Sequence, residues 1–502
     1  LTERISERPG ARLQVQGTAA GEEKSGRHMR LSRSTSTRTS PAALARQLAT
    51  PYLDALRAYA ARDPHRFHVP GHQAGTEVDP GLADALGEAV LALDVPALTA
   101  GVDAGPAPTP LAEARALAAE AWGAERTWFL LNGASQGNHA ACLAVAHAGS
   151  RVVVQRNAHT STIDGVILAG LRPTFLGPEL DHGLGIVWCP TPDQLDRALR
   201  NTPDAAGAFV VSPTYEGACA DIAGLAEVAH RHGVPLIVDE AWGTHLAFSD
   251  RLPDHALAAG ADLVISSPHK ILGSLTQSAL MHLGRTPHPS LPASVVERAV
   301  TLTTSTSPNA FLLASLDAAR RFASASFAEL LDHTIDALRG VREAIRTLPG
   351  VDVLDERIVG KPGVAGHDPM RLAIDVRGTG LSGLDLAQSM RDHADLHVEY
   401  ASPPLIVALP GIGPRASERG EALRAALEEA IDLVGRSPRD AHNPIVPPPP
   451  WMPLEVAPRE AYFGPQERVP AERAAGRIAA ETLATYPRGS RWSCPASASP
   501  AT

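Results

Sequence analysis

The sequence predicts an α/β protein whose larger part is a mostly parallel sheet, followed along the chain by a smaller α+β unit, and three observations carry that reading. Short apolar runs recur between residues 125 and 285, helical periods separate most of them, and reactive side chains follow the runs. Ligands of such sheets bind outside the carboxyl ends of the strands, where those side chains fall.

The runs are Trp128-Phe129-Leu130-Leu131, Arg151-Val152-Val153-Val154, Ala208-Phe209-Val210-Val211, Leu236-Ile237-Val238 and Leu263-Val264-Ile265. Each is short and nearly continuous, the pattern of a strand buried on both faces. Between them, residues 222–232 place Ile222, Leu225, Ala226 and Ala229 at helical spacing. Strands alternating with helices imply crossover connections and hence parallel pairing.

Residues 1–45 are rich in Arg, Ser, Thr and Gly and read as a flexible tail; the first residue is not Met, and Met29 is a candidate start. Residues 46–310 form the large domain with an amino-terminal arm. Residues 311–440 form the smaller unit: helices across 310–348, a strand at 371–376, a strand-like 397–400 and a helix near 418–433. A Pro-rich connector at 444–453 leads into the segment 458–487, within a last division of 441–502; consecutive prolines fix φ and cannot donate.

Composition narrows the function. At 44% hydrophobic and 20% charged, the 502 residues have ordinary globular character and room for about two to four folded units. The net charge of -10, with both signs mixed along the chain, argues against nucleic acid as partner and for a small molecule. No stretch reaches the roughly 18 uncharged apolar residues of a membrane span, so neither a membrane partner nor a signal segment is expected and the cytoplasm is the default setting. The four cysteines, Cys142, Cys189, Cys219 and Cys494, contain no CxxC pair, so no disulfide framework or metal site is indicated.

Of the 45 basic residues only Lys24, Lys270 and Lys361 are lysines. Where positive charge is written almost wholly as Arg, a lysine inside a structured segment points to chemistry that a permanently protonated guanidinium cannot perform. Lys24 lies in the tail and Lys361 in a Gly-Lys-Pro-Gly loop, whereas Lys270 follows a strand. An amine there can lose its proton and form a Schiff base with a carbonyl, and pyridoxal phosphate is the cofactor that needs one, together with an acid for its ring nitrogen. Asp239, one strand earlier, suits that acid. The small-residue turn Asn132-Gly133-Ala134-Ser135-Gln136-Gly137-Asn138 opens a helix and suits a phosphate.

Six stretches in order resemble the Orn/Lys/Arg decarboxylases over residues 48–489, in the short form without an amino-terminal receiver-like domain. They are Phe67-His68-Val69-Pro70-Gly71-His72, the turn at 132–138, Arg156-Asn157-Ala158-His159, Ser212-Pro213-Thr214-Tyr215-Glu216-Gly217, Val238-Asp239-Glu240-Ala241-Trp242-Gly243-Thr244-His245, and Ser267-Pro268-His269-Lys270 continuing to Ser278. The resemblance implies the pyridoxal-phosphate-dependent transferase fold type I, with a mostly parallel seven-stranded large domain, a smaller α+β domain and a carboxy-terminal appended segment. It implies that Lys270 holds the cofactor, Asp239 pairs with its ring nitrogen, His159 stacks on the ring and Ala241 packs on the other face. Ser135, Ser267 and His269, with Ala134 in the same turn, would hold the phosphate. It also implies a homodimer or higher even homo-oligomer, with residues 303–307 or Gln277 reaching the neighbouring site.

Several positions depart from the family's pattern. Ala134 stands where a hydroxyl residue is usual, Thr160 replaces a Lys, Trp242 sits where short forms often carry His, and residues 304–310 lack the usual Tyr. The implied activity is decarboxylation of a basic amino acid, arginine first, then lysine or ornithine. An aminotransferase, a carbon–sulfur lyase or a catalytically decayed paralogue would share the same cofactor residues. A basic substrate calls for a carboxylate at its distal cation, for which Glu399, Glu472 and Glu481 are candidates; His245 is a further substrate candidate.

Overall fold

The computed structural model describes residues 41–325, 327–435, 454–484 and 491–493. Most of the expected tail, including Lys24 and Met29, the Pro-rich connector and Cys494 lie outside these residues.

Seven strands build the main sheet: β1 (Arg126–Leu130), β2 (Arg151–Gln155), β3 (Arg172–Leu176), β4 (Ala205–Val211), β5 (Leu236–Glu240), β6 (Leu263–Ser266) and β7 (Ala279–Leu283). Their spatial order is β1-β7-β6-β5-β4-β2-β3, and only β7 runs antiparallel to its neighbours. Successive side chains point to opposite faces, and both faces are covered. Val152, Val154, Ile237, Leu263 and Ile265 belong to one apolar cluster; Val153, Leu236, Val238 and Val264 belong to another. That is why these strands read as unbroken apolar runs.

On the first face lie α1 (Gly133–Val145) and α2 (Thr160–Ala169), and on the second α3 (Pro192–Arg200) and α4 (Ile222–Arg231). Helix α3 starts with a capping box between Thr191 and Gln194, and Asp221 caps α4 by accepting from the Gly224 amide. Gly137 lets α1 approach the sheet closely: a Cβ there would stand 2.6 Å from Ile265 Cγ2 and 3.1 Å from Leu130 Cδ1. The start of α1 is thereby held against the ends of β1 and β6.

The chain leaves β2 for β3 in one direction and then lays down β4, β5 and β6 in the other. This reversal between β2 and β4 opens a crevice at the carboxyl ends of the strands.

Beyond helices at Ala310–Ala325 and Phe327–Arg346, a second sheet of β8 (Asp352–Val353), β9 (Leu372–Asp375), β10 (Tyr400–Ala401) and β11 (Leu405–Ala408) is antiparallel, in the order β8-β9-β11-β10. Helices Gly383–Ala394 and Ala416–Gly435 accompany it. The strand anticipated at 397–400 begins only at Tyr400, because Asp395 ends the preceding helix in the left-handed conformation and residues 396–399 form a connection. The short helix Pro458–Phe463 joins α2 through Arg459, whose Nη1 donates to the Leu168 carbonyl at 2.8 Å, and Glu460 pairs with Arg172 at 3.0 Å. No described helix is long and apolar enough to cross a membrane, and Cys142, Cys189 and Cys219 are free and buried.

Candidate active site

The crevice is a cavity of about 610 Å³ to which five parallel strands contribute at their carboxyl ends. Gly133, Ala134 and Ser135 follow β1; Asn157 and His159 follow β2; Thr214, Tyr215 and Glu216 follow β4. Asp239, Ala241 and Trp242 lie at and beyond the end of β5, and Ser267, His269 and Lys270 follow β6. Tyr400 of the second sheet closes one side. Every residue expected to hold the cofactor therefore lines this one cavity.

Lys270 sits in a 3-10 turn with its Nζ 3.9 Å from the centre of the Trp242 ring, and among the described residues it makes no ion pair. Burial pushes its ammonium down to about 8, a fall that Arg371 assists and Asp239 and Glu399 oppose. Lys361 differs: its Nζ pairs with Asp181 at 2.8 Å on the surface.

Asp239 receives two N–H groups, from Asn138 Nδ2 to Oδ2 at 2.8 Å and from the Ala241 amide to Oδ1 at 3.1 Å. The second hydrogen of Asn138 Nδ2 goes to Ser161 Oγ at 2.9 Å, and Ser161 Oγ lies 2.8 Å from His159 Nδ1. His159 also caps α2, with Nδ1 accepting from the Ser161 amide at 3.2 Å. Because Nδ1 accepts from that amide, the Ser161 hydroxyl is the donor to the ring. One hydrogen-bonded chain thus runs from Asp239 through Asn138 and Ser161 to His159, and both ends face the cavity.

At the other end, His269 Nδ1 lies 2.7 Å from the Ser278 carbonyl, an acceptor only, so the ring donates there and presents Nε2. Burial holds this imidazole below its usual range, the Ser278 bond opposing and Lys270 assisting. Among the described residues the buried Ser267 Oγ has no hydrogen-bond partner. Gln136 Oε1 accepts from the amides of Leu131 and Asn132, which ties the loop before α1.

The Orn/Lys/Arg decarboxylase major domain matches residues 50–398. This chain belongs to the Orn/Lys/Arg decarboxylase family. It is 34% identical to an arginine decarboxylase of Halalkalibacterium halodurans over 451 residues, covering 89% of this chain and 90% of that one. It is 32% identical to an arginine decarboxylase of Bacillus subtilis over 440 residues, with 88% and 89% covered. Lysine decarboxylase A from Pseudomonas aeruginosa has the same fold, with a TM-score of 0.73 at 23% identity, over 90% of this chain and 74% of that one. As a member of this family the protein is a pyridoxal-phosphate-dependent decarboxylase of the type I fold.

The residues present fit that cofactor. The orphaned Ser267 hydroxyl, the His269 ring and the first turn of α1 gather donors where a phosphate ester belongs, since the opening N–H groups of a helix lack intrahelical acceptors. Ala134 brings no hydroxyl to that turn, whereas Ser135 does, and both line the cavity.

The substrate candidates fare differently. Glu399 is exposed beside the site, close enough to act on the Lys270 charge, but does not line the cavity. Glu472, in the 3-10 turn Ala471–Arg473, and Glu481 are exposed and away from the cavity lining. His245 is fully buried behind it, its Nε2 3.0 Å from Asp368 Oδ1. Gln277 lines the cavity of its own chain and donates to Asn132 Oδ1 at 3.1 Å, while Thr304 accepts from Gln136 Nε2 at 2.9 Å. Asn138, Ser161, Glu216 and Tyr400 carried no assigned role in the sequence. Asn138 and Glu216 lie inside quoted motifs, but nothing in their spacing announces which way they face.

Proposed function

We propose that this decarboxylase acts on a basic amino acid, arginine before lysine or ornithine, releasing carbon dioxide and the corresponding amine. The observation that carries the reading is Lys270: among the described lysines it alone lines the cavity, desolvated to about 8, in company with Asp239. The two arginine decarboxylases at 34% and 32% identity support arginine.

Bound pyridoxal phosphate supplies an electron sink for the pair left behind when carbon dioxide departs. Lys270 would hold the cofactor through its Nζ, an amine that burial makes easier to deprotonate. In its ammonium form the same Nζ would be the group placed to deliver a proton to the substrate α-carbon. Asp239, oriented by Asn138 and the Ala241 amide, would pair with the ring nitrogen, and His159, oriented by Ser161, would pack on the ring. Ser135, Ser267 and His269 hold the phosphate. The cavity walls would orient the substrate carboxylate, and that orientation would decide which bond breaks.

We further propose a cytoplasmic enzyme with a large domain, a smaller domain and an appended carboxy-terminal segment, working as a homodimer or higher even oligomer. Exposed apolar side chains support the assembly: Phe67 is 98% and Leu98 81% exposed. The functional reading is tested by incubating holoenzyme separately with arginine, lysine and ornithine and identifying agmatine, cadaverine or putrescine. Turnover of none of the three would overturn it.

A further inference from the structure

Asp239 and Glu216 are the two carboxylates that line the cavity. Asp239 is committed to Asn138 and the Ala241 amide, which leaves Glu216. The residue is only 7% exposed, and among the described residues no Lys, Arg or His pairs with it. Tyr400 Oη donates to Glu216 Oε1 at 3.3 Å, across 184 positions of sequence. Burial pushes the carboxyl above its usual range, against the hydrogen bonds from its own backbone, Thr214 and Tyr400.

The turn that carries Glu216 is pinned. Gly217 has φ +93°, and a Cβ there would meet the Asp368 carbonyl and Arg371 Cγ, each at 3.0 Å. The Asp368 amide also donates to the Gly217 carbonyl at 2.8 Å. A buried acid on a fixed turn, facing a cavity without a cationic partner, is costly to the free protein unless a cation arrives with a ligand.

Aromatic rings line the way from the reactive amine to this acid. Lys270 Nζ lies 3.9 Å from the Trp242 ring centre, Trp242 lies 5.4 Å from Tyr215, and Tyr215 lies 6.1 Å from Tyr400, the ring bonded to Glu216. Such a wall accepts an extended methylene chain and attracts a cation at its faces.

We propose that Glu216, oriented by Tyr400, receives the distal cation of the substrate, whose side chain lies along Trp242, Tyr215 and Tyr400. This rests on the reading of a basic amino acid as substrate, and it selects the acceptor. Glu399 and Glu472, both exposed, are poorer acceptors because water screens a surface pair.

The test uses holoenzyme, wild type beside Glu216→Gln, Tyr400→Phe and Glu472→Gln, with steady-state kinetics on arginine and on citrulline, its neutral isostere. Calorimetry of agmatine binding gives a readout independent of turnover. Glu216→Gln is expected to raise KM for arginine by about tenfold or more, to change kcat by less than about threefold, to weaken agmatine by the KM factor, and to narrow the preference for arginine over citrulline. Tyr400→Phe, which keeps the ring and removes the orienting hydroxyl, is expected to shift KM and agmatine affinity in the same direction by a few-fold. Unchanged KM and agmatine affinity in Glu216→Gln, or a loss confined to Glu472→Gln, would overturn the assignment while leaving decarboxylation intact. If Glu216→Gln fails to fold, Tyr400→Phe with wild-type KM and agmatine affinity overturns it. Wild-type enzyme inert on every basic amino acid would overturn the functional reading and this inference together.

Discussion

Asn138 Nδ2 lies 2.8 Å from Asp239 Oδ2, and its other hydrogen reaches Ser161 Oγ, which bonds His159. One buried amide thus positions two of the residues assigned to the cofactor ring, Asp239 and His159. In Asn138→Ala the Asp239 carboxylate loses one donor and the Ser161 hydroxyl loses another. A hydrogen bond to a charged group contributes about 1.5–3 kcal/mol, so kcat/KM is expected to fall roughly ten- to a hundredfold. Cofactor affinity, measured by equilibrium dialysis, is expected to weaken as well. Wild-type values for both would remove Asn138 from this role.

Lys270 sets a pH dependence on cofactor capture. Attack on the cofactor aldehyde requires the neutral amine, and burial lowers the ammonium to about 8. Raising the pH removes the proton, so the rate of reconstitution of apoprotein with pyridoxal phosphate should climb about tenfold per pH unit below 8 and level off above it. Stopped-flow absorbance measures it. A rate still climbing at pH 10 would mean an ordinary, solvated lysine.

Behind the site, Asp368 is fully buried between His245 and Arg371, at 3.0 Å and 3.6 Å. Burial works against the carboxylate, but His245, Arg371 and the Met370 amide hold the carboxyl well below its usual range. A depressed carboxyl contributes stability above its unfolded value, near 4, and loses it as the pH falls toward the folded value. Asp368→Asn leaves the buried Arg371 guanidinium without its counter-charge, and the expected loss at pH 7 is about 3–5 kcal/mol. Chemical denaturation of wild type and variant at pH 7 measures it. A variant as stable as wild type at pH 7 would contradict the pairing.

The exposed apolar side chains lead to a prediction about assembly. Sedimentation velocity of the holoenzyme should give a dimer or a higher even oligomer, and Phe67→Glu should shift it toward smaller species. A fully active monomer would contradict the proposed assembly.

The five runs read as strands were legible because both faces of the sheet are covered, which leaves each run unbroken by polar residues. Two strands hid. In β3, Pro173 breaks the pattern and is tolerated because β3 is an edge strand. In β7, His282 looked polar, yet its fully buried ring is satisfied by Thr127 Oγ1 at 2.9 Å and Ser266 Oγ at 3.2 Å. Lys270, Asp239 and His159 were legible because parallel strands present their carboxyl ends on one side. Glu216 was not, since its meaning depends on Tyr400, far along the chain. His245 illustrates the converse: it sits in a recognisable motif, but its ring turns away from the cavity to Asp368.

The most direct measurement is the fate of arginine labelled at its carboxyl carbon, incubated with purified holoenzyme and with Lys270→Ala and Lys270→Arg. Wild type is expected to release labelled carbon dioxide and unlabelled agmatine in equal amounts. Both variants are expected to lose that turnover together with the absorbance of the lysine-bound cofactor, since neither a methyl group nor a guanidinium can replace the neutral amine. Label retained in a keto acid, or near-normal carbon dioxide release by Lys270→Arg, would contradict decarboxylation at Lys270.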